Sequence, residues 1–115
     1  MSKLEAILNY AKISQENISS DINHQREFLS LEMQKYHRFI VEVSSGNSKI
    51  LGLVNNPSVS VHGAELRLEL LQYKPKEQTP ITKLRRVVPF SKIDSIKVIA
   101  EYKRTLGGDH VHKYL

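Results

Sequence analysis

A chain of 115 residues with 40% apolar side chains has room for one domain around one modest core. It contains no cysteine, which excludes a disulfide framework, a thiolate nucleophile and thiolate-ligated zinc. The net charge of +5 sits wholly in the second half: residues 1–57 hold six basic and six acidic side chains, residues 58–115 eleven basic against six acidic. Such a half attracts phosphate polymers or acidic protein patches, and equally serves to keep a small domain soluble.

The first thirteen residues carry charges and no long apolar run, which argues against a signal peptide or membrane span. A cytoplasmic protein without a membrane partner is expected. Ser2 followed by Glu5 has capping-box spacing and predicts a helix start. Leu4, Ile7, Leu8 and Ala11 then form one apolar stripe. A helix this short must dock, either on its own domain or in a partner's groove, so the stripe is also the candidate protein-binding face. Residues 14–20 are polar and compete with the helical backbone, predicting either a linker or a frayed second helix. Residues 21–36 fit a helical stripe or a strand alternation; the helix formers and mixed charges favour a helix over 23–35.

From Phe39 the period changes to two. Residues 39–43 predict a first strand, 44–48 a turn, and 49–54 a second strand with Gly52 at a bulge or sharp bend. Asn55-Asn56-Pro57 is expected to end it, leaving 58–62 as a short separate strand. Residues 65–70 alternate three leucines with charges, a strand with one face in the core and one in water. Residues 74–82, with two prolines and three charges, predict an exposed loop.

The stretch from Arg86 to Tyr102 reads as strand, one-turn corner and strand. Pro89 closes the first, Ser91 and Asp94 bond in the corner, and Ile96, Val98, Ala100 and Tyr102 line one face of the second. Residues 105–115, opening on Gly107-Gly108, predict a flexible tail. The expected fold is therefore a single α+β domain, helical over 1–36. A strongly bent, five- or six-stranded antiparallel sheet, small-barrel-like, follows over 37–104.

A helix followed by bent strands, the Gly46 to Gly52 spacing across the first turn, a variable loop and the strand–corner–strand run resemble the Sm-like and Src-homology-type small β-barrels over residues 39–102. Asn55 and Asn56 fall roughly where RNA-binding Sm proteins carry an acidic and asparagine-containing segment. Residues 87–90 lack the arginine–glycine pair that helps to hold a base. The resemblance implies a fold that hosts RNA binding, ring assembly and peptide binding alike.

Three site readings follow. Lys74, Lys76, Lys83, Arg85, Arg86 and Lys92 fall within nineteen positions and are the candidate nucleic-acid-binding residues. Tyr73, Phe90 and Tyr102 are the aromatic faces on which bases could stack, with Phe90 expected in the core. Asp109, His110 and His112 are the local metal-ligand candidates, needing help from His24, His37 or His62; an exposed polar tail is the competing reading, and no cofactor is expected. With no nucleophile turn, phosphate loop or paired carboxylates, a non-catalytic role is expected, with a small metal-dependent enzyme third in order. The first expectation is a binding or assembly module whose partner is another protein or a second copy, with nucleic acid as the alternative partner.

Overall fold

The computed structural model describes residues 2–16 and 21–113, so residues 17–20 of the expected linker or frayed second helix and the last two residues of the expected tail lie outside the described residues. Two helices, α1 (Lys3–Glu16) and α2 (Ile22–Gln34), precede six strands: β1 (Phe39–Ser45), β2 (Ser48–His62), β3 (Glu65–Tyr73), β4 (Ile81–Pro89), β5 (Ser95–Thr105) and β6 (Gly108–Lys113). The fold is α+β, and the strands form one antiparallel sheet in the order β4-β3-β2-β1-β5-β6, curled but not closed.

Local chemistry sets the element ends. Ser2 Oγ accepts from the Glu5 amide at 3.1 Å, and Asp21 Oδ1 accepts from the His24 amide at 3.2 Å, so each helix starts on a side-chain cap. The β1–β2 and β2–β3 turns place Gly46 and Gly63 at φ of 58° and 62°, which a residue with a Cβ adopts at a cost. Pro89 ends β4, and a single 3-10 turn, Phe90–Lys92, swings the chain into β5. Asp94 locks this corner to the β1–β2 turn: its amide donates to Ser44 O at 2.7 Å, and its Oδ2 accepts from the Gly46 amide at 2.8 Å.

The sheet has two packed faces. On one, Val41, Val43, Val54, Val59, Leu66, Leu68, Leu70, Val88 and Ile96 meet Leu29 and Met33 of α2 and the α1 stripe, with Phe90 and Ile93 of the corner sealing one side. On the other, concave face a thinner cluster of Ile40, Leu53, Tyr73 and Ala100 is edged by half-buried Leu71, Ile81, Tyr102 and Val111. Burial at this scale stabilises by roughly 1.5–3 kcal/mol for each large side chain.

Three expectations change. Asn55-Asn56-Pro57 does not end a strand: β2 runs for 15 residues through this point, and its pairing with β3 slips between Val54 and Val59 to absorb the kink. Ser58 Oγ donates to Asn55 O and Gln34 Nε2 to Asn56 Oδ1 at 2.7 Å, so the kink is held from inside and from α2. The expected flexible tail is instead largely β6, because Gly108, at φ 118°, turns the chain back and the residues after it pair with β5 from Ala100 to Thr105. Finally, Ser14 to Glu16 continue α1.

Candidate functional site

The stripe Leu4, Ile7, Leu8 and Ala11 is spent on the chain's own core, at 4%, 7%, 4% and 0% exposure. In the folded state it is therefore not a face offered to a partner, which corrects the sequence-based assignment: the apolar surface it packs on is supplied by α2, the sheet and the corner. What the helices leave outside is a groove of about 400 Å³ lined by Ala6, Ile7, Tyr10, Phe28 and Tyr36, where the Tyr10 and Phe28 rings lie 5.0 Å apart. Burial, reinforced by the Glu32 carboxylate, raises the Tyr36 pKa above the ordinary phenol value, Lys35 acting the other way.

The six predicted cations do not make one patch. Lys74 and Lys76 stand in the exposed connection 74–80, and Lys92 is exposed on the 3-10 turn. The β3–β4 register sets Arg86 opposite Leu70 on the helix-facing side and Arg85 opposite Leu71 on the concave side, so the strand alternation splits the pair. Arg85 Nη1 lies 3.1 Å from Glu69 Oε1 and covers a carboxylate that is otherwise nearly buried. Lys74, Lys76, Lys83, Arg86 and Lys92 make no ion pair among the described residues. Of the three aromatic candidates, Phe90 is fully buried, as expected, and Tyr73 is nearly so; burial raises the Tyr73 pKa. Tyr102 alone remains half-exposed.

The histidines do not assemble a metal centre. His110 and His112 share one side of β6 opposite Lys103 and Glu101, and no group of three or more His, Asp or Glu comes together among the described residues.

Two other features emerge. First, β4 is an edge strand of nine residues whose outer side pairs with nothing among the described residues. It exposes Leu84 and Val87 by 54% and 42% alongside Lys83 and Arg85. Secondly, the curl of the sheet brings the start of β4 towards the β5–β6 hairpin. Between them lies a groove of about 650 Å³, with Leu53 and Leu71 beneath, Ile81, Thr82 and Lys83 on one side, and Tyr102, Arg104 and Gly108 on the other. A neighbouring hollow of about 450 Å³ shares Tyr102 and Arg104 and adds His37, Arg38, Glu101 and Lys103.

Sequence reading missed Arg38, Lys103 and Arg104 as partners of this surface. The usable signal is the alternation of Tyr102 with Arg104, which carries β5 up to the point where the tail is expected to begin. No helix of the described residues is long and apolar enough to cross a membrane. Comparison with known proteins adds no relative: no family model, curated protein or solved structure matches the chain.

Proposed function

We propose that this chain is a non-catalytic binding module of the cytoplasm that engages another protein through the outer edge of β4. The observation that supports it is the combination on that edge of a backbone ladder unpaired among the described residues with two exposed apolar side chains. Such a ladder offers a row of free donors and acceptors to an added strand. Leu84 and Val87 give that strand something to bury, and Lys83 and Arg86 give it a charge preference.

The small-barrel reading belongs to the same proposal. A helix before the sheet, five strands in the order β4-β3-β2-β1-β5 and a one-turn corner between β4 and β5 support kinship with the Sm-like type, while the sixth strand is an addition to it. Nucleic-acid binding is the second reading, favoured by the five predicted cations that make no ion pair among the described residues.

Panning a displayed peptide library against the chain tests the first reading, with Leu84→Asp and Val87→Asp as variants. Both side chains already face water, so the variants are expected to fold. Recovered peptides that bind the parent and lose about tenfold or more on either variant support the edge. Recovered peptides indifferent to both overturn it. The second reading predicts binding of a mixed oligonucleotide that collapses between about 50 and 200 mM salt.

A further inference from the structure

We infer that the groove between β4 and the β5–β6 hairpin is a receptor site for an extended peptide in which apolar and acidic residues alternate. The inference rests on the β4-edge reading and names the partner chemistry.

The groove has the three components such a ligand requires. Its base is apolar, built from Leu53 and Leu71 and flanked by Ile81 and the Tyr102 ring. Its sides belong to the two terminal portions of the sheet, the start of β4 and the β5–β6 hairpin. An extended segment lying there has within reach the edge of β4, unpaired among the described residues, the circumstance in which main-chain hydrogen bonds supply affinity and alternate side chains supply selectivity. Its charge is one-signed: Lys83 and Arg104 stand on opposite sides, none of the lining residues is acidic, and neither cation makes an ion pair among the described residues. Thr79, Thr82 and Gln78 complete the lining with neutral hydrogen-bonding groups.

The same charges decide between a second copy and a foreign strand. Antiparallel pairing of β4 with β4 would set Lys83, Arg85 and Arg86 of one copy near those of the other, and like charges across a ladder repel. Pairing of β4 with β6 would set them beside a strand whose single acidic residue is offset by Lys113. A second copy therefore offers the groove no net attraction, and an acidic strand the right sign.

The test uses a fluorescein-labelled, eight-residue peptide of alternating glutamate and leucine and the full chain, read by anisotropy at about 50 mM salt. Saturable binding is expected, weakened on the order of tenfold or more by Lys83→Glu with Arg104→Glu. The same charge change at Lys92 and Lys97, away from the groove, should alter affinity less than about threefold beyond the general salt effect. Equal losses from the groove pair and the Lys92/Lys97 pair would overturn the proposal, reducing it to non-specific attraction. Preference for an alternating lysine–leucine peptide would also overturn it, as would a dT15 oligonucleotide that binds through Lys83 and Arg104 while the acidic peptide does not. If binding is lost on Leu84→Asp or Val87→Asp but is indifferent to the groove pair, the groove assignment fails and the β4-edge reading stands.

Discussion

Gly52→Ala is the sharpest probe of how this sheet is put together. A Cβ built at Gly52 would lie 2.7 Å from Leu70 Cβ and 2.9 Å from Leu71 O, against the usual contact of about 3.5–4.0 Å. Neither neighbour is a flexible tip: one is the root of a fully buried leucine, the other a carbonyl of the paired strand. The added methyl must therefore push β2 and β3 apart, the kind of overpacking that costs about 2 kcal/mol, within a range of roughly 1–3. For 115 residues the unfolding entropy is about 0.24 kcal/mol per kelvin, so the expected fall in Tm is about 8 °C. Urea and thermal unfolding followed by circular dichroism measure it. Gly46→Ala is the control, because the space there is open and only the φ of 58° penalises a side chain, at about 1 kcal/mol; asparagine should recover part of that loss at Gly46 and none at Gly52. A Gly52→Ala protein within about 0.5 kcal/mol of the parent would refute the close-approach reasoning.

Removing residues 1–13 should cost at least about 3 kcal/mol or abolish cooperative unfolding, since it uncovers the core that Leu4, Ile7 and Leu8 now seal; a truncated domain with unchanged urea midpoint would show that α1 docks weakly. Asp94→Ala should lose about 1–2 kcal/mol in the same assay, because the Gly46 amide loses its acceptor and the corner its tether to the β1–β2 turn; Asp94→Asn, which keeps an acceptor oxygen, should lose less. Alkaline pH should weaken the fold through Tyr73. Its phenol pKa is raised by burial, so the folded state keeps a proton that the unfolded chain releases. The associated stability is fully present below about pH 10 and is lost as pH rises through the folded value. Tyr73→Phe should flatten that decline in urea midpoints taken across pH 9 to 11, and an unchanged slope would contradict the assignment.

Much of the architecture was written in short-range patterns. Capping at Ser2, the leucine alternation of 66, 68 and 70, and the Pro89 corner each act over a few residues, and the corresponding elements form where the pattern puts them. The misreadings share a cause. Asn55-Asn56-Pro57 is a stop signal locally, but α2 and the Ser58 hydroxyl bind the kink and let β2 continue. Gly107-Gly108 is a flexibility signal locally, but the free side of β5 gives residues 108–113 a partner. The candidate site was less legible for the same reason. Arg104 and Lys83 are 21 positions apart in the chain, and only the curl of the sheet sets them across one groove. Conversely, Arg85 and Arg86 are adjacent in sequence and are sent to opposite faces by the strand period.

The length of β2 has a mechanical corollary. Leu53 belongs to the concave face, its neighbour Val54 to the layer beneath α2, and the kink that follows is gripped by Gln34 of that helix. A guest that wedges against Leu53 thus presses on the same strand that seats α2. Its arrival should register in slower amide exchange along that helix, on the far side from where it sits.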